Sequence, residues 1–269
     1  IFSSNTWSEL VSGVKSNSST LHFLGLFSDG NVHSHIDHLK AMVAKAFHYA
    51  ADNGASVAQC SYGESNKNFA SAAEYNAEFS VESDALAYFL DPENCNCEAL
   101  ETNIAVFASG NYNKPASLFP GALDGVISVT AFGPDFLPGG YSNYGAGCDI
   151  SAPGGDIVEG NANAPCMILS TGYNSNGGLS YVYKYGTSMA CPNLCGVIIL
   201  VKQALKERYP DMTSSELTNM ANSLLMSTGT IVLDEQGNPY SPRKQGAGLG
   251  NLKYAVDTLA YLSVEGQTK

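Results

Sequence analysis

One serine in this chain has the local sequence of a nucleophile. Ser188 follows Gly186 and Thr187 and opens a predicted helix that runs to about Arg208. At such a position the backbone N–H and the positive end of the helix dipole point toward any oxyanion that forms there. Because Ser and Thr are also preferred N-cap residues, the tripeptide taken alone favours an ordinary helix start.

A serine hydroxyl normally needs a neighbouring base, most often histidine, to accept its proton. All five histidines of the chain lie at or before His48, far upstream of Ser188. Either one of these N-terminal histidines reaches Ser188, or the sequence as given lacks the base.

A second group for the same chemistry is the side-chain amide of Asn111. This residue follows the apolar run Ile104–Ala108 after two small residues. At the carboxyl edge of a parallel sheet, that position lets a side chain point into a cleft. An amide donor together with the N–H of Ser188 would make an oxyanion hole.

The elements that must position these groups alternate between strands and helices. Apolar runs predict strands at Leu21–Phe27, Ala55–Cys60, Ile104–Ala108, Gly125–Ala131, Asp149–Ala152 and Met167–Ser170. Helical spacing and capping signals predict helices over Ile36 to about Asn53 before Gly54, from Ser188, from the capping box of Thr213 and Glu216, and over Leu252–Leu262. Strands that are apolar on both faces indicate an α/β fold, a mostly parallel sheet flanked by helices.

Charge and hydropathy exclude some classes of partner. The net charge is −12, and residues 1–48 hold three basic and three acidic side chains, so the whole acidic excess lies downstream. We therefore expect no nucleic-acid partner. No apolar run approaches the roughly 20 residues that span a bilayer, so we expect no membrane span. No secretory signal pattern follows Ile1, and we expect no signal peptide in the sequence given.

The seven cysteines cannot all pair within one chain. A zinc site built from Cys95, Cys97, Cys191 and Cys195 is conceivable, but these spacings match no standard ligand pattern. We therefore predict small buried thiols and no metal site.

Several blocks along the chain resemble subtilisin-like serine peptidases. The nucleophile block is Gly186-Thr187-Ser188-Met189-Ala190-Cys191-Pro192, and the others follow in the family's order: Ala51–Val57 ending in Ser61-Tyr62-Gly63, Phe107–Asn111, Phe119-Pro120-Gly121, Tyr141–Gly145 and Ile150–Gly155. The tail, Leu224–Thr228 and Ser241–Gly248, is similar to lactocepin-type cell-envelope proteinases. The resemblance covers about residues 45–269 and implies a subtilisin-like three-layer core that is incomplete at its N-terminus.

The resemblance also implies an activity, a serine endopeptidase that hydrolyses peptide bonds through a serine acyl-enzyme. Ser188 would be the nucleophile and Asn111 the oxyanion donor, with a peptide or protein as substrate. The peptide would be held as an added strand by the backbones of five residues: Ser61, Tyr62, Gly63, Ser109 and Gly110. The resemblance leaves room for calcium as a cofactor and implies a secreted or cell-surface location.

The sequence departs from this family upstream of the second predicted strand. The catalytic Asp, on a strand before a glycine-rich turn, and the His, in a His-Gly-Thr-His block, should both precede residues 55–60. Neither motif is present. We therefore expect the peptidase activity to be impaired.

Residues 1–47 resemble a different family, cofactor-independent phosphoglycerate mutase. The similarity is nearly continuous over Thr20–Leu39, with Asn31 where that family usually has Gly. There the histidine that matches His33 contacts phosphoglycerate. The phosphoserine and the manganese-ligating clusters of that family lie in segments absent here. The sequence thus predicts a chimeric chain with a mutase-like fragment at 1–47 and a peptidase core at 48–269.

The N-terminal histidines leave further hypotheses open. Asp29 and His33 could replace the missing catalytic pair, but a spacing of four suits a single turn, and displacing a catalytic group by even ~1 Å is costly. A metal site at His33, His35 and His38 is less favoured than a structural role, because with Asp29 and Asp37 they do not share one helix face. Two other functions stay open, a non-catalytic peptide-binding module and a phosphoglycerate mutase-like protein.

Overall fold

The computed structural model describes residues 4–16, 36–65, 67–94, 96–97, 100, 103–157, 166–173, 176–258 and 260–262. The chain divides into two compact units, 1–42 and 43–269. The first unit holds helix α1 (Asn5–Ser16), and helix α2 (Ile36–Asp52) crosses the division. The predicted strand Leu21–Phe27, Asp29 and His33 lie outside the described residues.

A four-stranded sheet forms the centre of the second unit. Its strands are β1 (Val57–Cys60), β2 (Ile104–Ala108), β3 (Ile127–Phe132) and β4 (Ile150–Pro153). They stand in the order β1-β2-β3-β4, and every neighbouring pair is parallel. The predicted parallel sheet is therefore confirmed, and the carboxyl ends of its strands meet at one edge.

Alternate residues of β2 face two separate apolar clusters. Ile104, Val106 and Ala108 pack in one cluster with helices α5 (Thr187–Arg208), α6 (Ser214–Ser227) and α8 (Leu252–Asp257). Ala105 and Phe107 belong to the other, with the part of α2 from Ala44 onward and helices α3 (Ala72–Glu78) and α4 (Ser80–Leu90). The sheet is covered on both faces, which gives the expected three layers.

The helix ends follow the predicted capping signals, with one exception. Thr213 and Glu216 form the complete capping box before α6, and Gly54 after α2 has a φ of 80°. Helix α8 ends at Asp257 rather than at Leu262, because Thr258 takes an extended conformation (ψ 134°). A short helix α7 (Pro242–Gln245) was not predicted.

The strand predicted at Met167–Ser170 does not join the parallel sheet. It is β5 (Ile168–Tyr173), and it pairs antiparallel with β6 (Leu179–Lys184) in a separate two-stranded sheet. The side chains of Tyr173 and Tyr181 are 69% and 71% exposed. No residue of this hairpin belongs to either apolar cluster of the core, so the apolar residues at Met167–Ser170 do not form a core strand.

Helix α5 is the central helix of the second unit. Its 22 residues are long and apolar enough to span a bilayer by length and composition alone. Leu194, Ile198 and Val201, however, are fully buried, and α5 lies against all four parallel strands. These contacts are those of a core helix.

Candidate active site

The candidate nucleophile, Ser188, lies where helix α5 begins beside the carboxyl end of β1. The preceding Gly186 has a φ of 144°, a conformation that glycine tolerates, and its N–H donates to Gly154 O at 2.9 Å. The Oγ of Ser188 donates to Ser61 O at 3.3 Å, and Ser61 Oγ donates to Ser188 O at 2.8 Å. Two residues 127 positions apart in the chain are thus joined by reciprocal hydrogen bonds.

Thr187 fixes the orientation of the Asn111 amide. The backbone N–H and the hydroxyl of Thr187 both donate to Asn111 Oδ1, each at 2.9 Å. The same hydroxyl accepts from Gly110 N at 3.2 Å. These two hydrogen bonds fix Oδ1 of Asn111 toward Thr187, so the Nδ2 of the same amide points away from Thr187.

The amide nitrogen of Asn111 and the backbone nitrogen of Ser188 border the same small space. A Cβ added to Gly186 would lie 3.2 Å from Asn111 Nδ2 and 3.7 Å from Ser188 N. Within the described part of the chain, Asn111 Nδ2 has no hydrogen-bond partner. Both nitrogens therefore lie near one point, and two N–H donors beside one point can stabilise an oxyanion.

Asn143 holds the loop that carries Asn111. Its side chain is fully buried, and its Oδ1 accepts from Tyr112 N at 3.0 Å and from Lys114 N at 3.1 Å. Its Nδ2 donates to Ser109 O at 3.0 Å. These three bonds tie both sides of the Asn111 loop to one side chain.

The segment Ser61–Gly63 is anchored through Tyr62. The hydroxyl of Tyr62 donates to Glu82 Oε1 at 2.7 Å, and that of Tyr75 donates to Glu82 Oε2 at 3.0 Å. Although Tyr62 is 40% exposed, its hydroxyl lies against a carboxylate that is 7% exposed. Burial, and then the charge of Glu82, raise the pKa of Tyr62, so the phenol stays protonated and donates.

The cysteines behind Ser188 are buried thiols, as predicted for Cys191 and Cys195, whereas Cys97 is partly exposed and Cys95 lies outside the described residues. Cys191 donates to Val106 O at 3.2 Å, and Cys60 and Cys195 are 6% exposed. Burial raises the pKa of Cys60, and a hydrogen bond with Cys191 followed by burial raises that of Cys195. Over the ranges that the structure describes, no three His, Cys, Asp or Glu side chains are grouped so as to hold a metal ion.

The structure brings Ser188, Asn111, Ser61, Tyr62, Gly63, Ser109 and Gly110 to one edge of the sheet. His33 lies outside the described residues, and His48 packs on the ring of Tyr88 at 4.3 Å. The sequence analysis assigned no role to Thr187 or Asn143. Both stand in blocks that carry the family resemblance, which was the only signal for them.

Comparison with known proteins places this chain in a family. The sequence model described as "Subtilase family" matches residues 4–248. C5a peptidase of Streptococcus pyogenes is 37% identical over 121 residues, which are 45% of this chain and 9% of that protein. The chain thus spans about a tenth of the length of that curated relative.

A short segment has a different relative. A probable 2,3-bisphosphoglycerate-independent phosphoglycerate mutase of Leptospira interrogans is 61% identical over 46 residues. These are 17% of this chain and 8% of the mutase. The predicted resemblance to two families is therefore confirmed.

Solved structures show the fold. A protease from Pseudoalteromonas arctica matches with a TM-score of 0.60 and 29% identity, over 81% of this chain and 58% of that one. The epidermin leader peptide processing serine protease of Staphylococcus aureus matches with a TM-score of 0.57 and 21% identity, over 84% and 55%. Both are similar to this chain in its architecture.

Proposed function

The chain belongs to the subtilase family, and from this membership we propose that it acts on peptide bonds as a serine endopeptidase, with Ser188 as its nucleophile. The observation that carries the proposal is the shared space beside Gly186, which Asn111 Nδ2 and Ser188 N both border. Membership of a protease family implies peptide or protein substrates.

The proposed reaction assigns one task to each group. Ser188 Oγ forms a bond to the carbonyl carbon of the substrate, its proton passes to a base, and the carbonyl oxygen becomes an oxyanion. Asn111 Nδ2 and Ser188 N donate to that oxyanion. The C–N bond then breaks, the amine leaves with a proton, and water hydrolyses the acyl-enzyme.

The substrate is proposed to lie as an extended strand between two backbone segments. Ser61–Gly63 follows β1, and Ser109 and Gly110 follow β2, so both segments leave the same edge of the sheet. Backbone groups of such segments can pair with an added strand. This backbone pairing by itself requires no particular side chain from the substrate.

We also propose that the reaction is slow in the chain as given. Among the residues that the structure describes, the partner of Ser188 Oγ is the backbone carbonyl of Ser61. A carbonyl oxygen accepts a hydrogen bond but does not take the proton at neutral pH. The oxyanion hole and the binding groove retain part of the rate enhancement when other members of a triad are missing.

The test is hydrolysis of an internally quenched peptide library by the whole chain, with and without exogenous imidazole. We expect weak hydrolysis that imidazole increases and that Ser188→Ala abolishes in both conditions. His33→Ala is the control for the base, because it lowers the imidazole-free rate only if His33 supplies it. Hydrolysis that survives in Ser188→Ala would contradict the assignment of the nucleophile.

The hydrogen bond from Ser188 Oγ to Ser61 O also favours a second function, a peptide-binding module without catalysis. It predicts that peptides bind with micromolar or weaker affinity and that imidazole produces no hydrolysis. Binding measured by fluorescence anisotropy beside the hydrolysis assay distinguishes the two functions.

A further inference from the structure

Leu118 fills the gap between the two backbone segments proposed to hold the substrate. A Cβ added to Gly63 would lie 2.8 Å from Leu118 Cβ and 3.3 Å from its Cδ1. A Cβ added to Gly110 would lie 2.8 Å from Leu118 Cγ and 2.9 Å from Cδ1. The leucine side chain therefore packs against both glycines at once.

The main chain around Leu118 is fixed to the same two segments. Leu118 N donates to Ser109 O at 2.9 Å, and Phe119 O accepts from Glu64 N at 2.7 Å. Ala122 N donates to Leu118 O at 3.0 Å. Because both ends of the short stretch are bonded, the side chain cannot leave the gap by a movement of its backbone without breaking these bonds.

The position of this gap relative to Ser188 Oγ and Asn111 determines which substrate residue places its side chain there. The substrate carbonyl must stand at Ser188 Oγ with its oxygen toward Asn111, which follows Gly110 directly. The residue that supplies this carbonyl is then held between Ser61–Gly63 and Ser109–Gly110, and its side chain enters the space between them. Resting on the proposed function, we infer that Leu118 restricts this substrate residue to a small side chain such as Gly, Ala or Ser.

Leu118 also lines a cavity. The cavity has a volume of about 480 Å³, and Leu118, Phe119, Phe69 and Ala122 are part of its lining. Since Leu118 contacts both this cavity and the two glycines, shortening its side chain would join the cavity to the gap. The joined space would admit a large apolar side chain.

The experiment measures binding, so it does not depend on turnover. Two fluorescently labelled tetrapeptides that differ only in a C-terminal Ala or Phe are titrated into the wild-type chain, Leu118→Ala and Leu123→Ala. Leu123 is the matched control, a buried leucine 8% exposed that supplies none of the three atoms nearest to a Cβ at either glycine. We expect the wild type and Leu123→Ala to prefer the Ala peptide, and Leu118→Ala to bind the Phe peptide at least tenfold more tightly than the wild type does.

Each other outcome refutes the inference in a distinguishable way. If the wild type prefers the Phe peptide, the inference about Leu118 is wrong. This result needs no variant, so the test remains valid even if Leu118→Ala does not fold. Equal preference in wild type and Leu118→Ala overturns the role of Leu118 while the groove stands. Absence of binding of either peptide to the wild type overturns the groove itself, and with it the proposed function.

Discussion

Asn143→Ala tests whether the Asn111 loop depends on one buried amide. The substitution removes the three hydrogen bonds to Tyr112 N, Lys114 N and Ser109 O. Tyr112 is 54% exposed, so its N–H can be satisfied by water after the change, whereas Ser109 is fully buried. Ser109 O keeps the hydrogen bond from Leu118 N at 2.9 Å, so this buried carbonyl loses one of its two donors. At about 0.5–1.5 kcal/mol for each of the three lost bonds, we expect a loss of ~2–4 kcal/mol of unfolding free energy.

Urea unfolding followed by tyrosine fluorescence and circular dichroism measures this loss. The matched control is Asn193→Ala, since Asn193 also donates to two carbonyls, Pro153 O at 2.7 Å and Met189 O at 3.2 Å, but from an exposed position. We expect its loss to stay below about 1 kcal/mol, because water replaces the amide. Equal losses in the two variants would refute the reasoning that the buried Asn143 network holds the loop.

Three further predictions concern other parts of the second unit. Tyr62→Phe leaves buried Glu82 with one phenol donor in place of two, and we expect a loss of ~1–3 kcal/mol in urea unfolding; an unchanged midpoint would contradict this. Because burial raises the pKa of Cys60, that thiol should resist a disulfide reagent at pH 8 until the chain unfolds, as mass spectrometry can show. Hydrogen bonds from Asn238 N and other donors lower the pKa of Asp234, so its stabilising effect exists above its unfolded pKa and fades as the pH falls below about 4. The difference in Tm between wild type and Asp234→Ala should therefore shrink on acidification, and a constant difference would count against it.

The local parts of the fold could be predicted from the sequence. The run Ile104–Ala108 is apolar at every position, which is typical of a strand covered on both faces, and it forms the fully buried β2. Thr213 with Glu216, and Gly54 after a helical pattern, mark helix ends through bonds between near neighbours. The positions of Ser188 and Asn111 follow from these elements. Ser188 lies at the start of a helix that packs on the sheet, and Asn111 follows a strand of the same sheet.

Features that depend on residues distant in the chain were not predictable in this way. Asn143 bonds to a loop about 30 positions away, and no local pattern distinguishes it from other loop asparagines. Leu118 occupies its gap only because Gly63 and Gly110 are brought together by β1 and β2. The strand predicted at Met167–Ser170 begins with three apolar residues, and only the pairing of β5 with Leu179–Lys184 shows that it belongs to a separate hairpin.

The central claim is that Ser188 and Asn111 act on the same substrate carbonyl. The most direct measurement is the second-order rate constant for phosphonylation of Ser188 in the presence of imidazole, with Asn68→Ala as the matched control at an exposed asparagine. Loss of an oxyanion donor should slow the reaction of Asn111→Ala by about 100-fold or more, while Asn68→Ala reacts like the wild type. Equal rates for the wild type and Asn111→Ala would contradict the account.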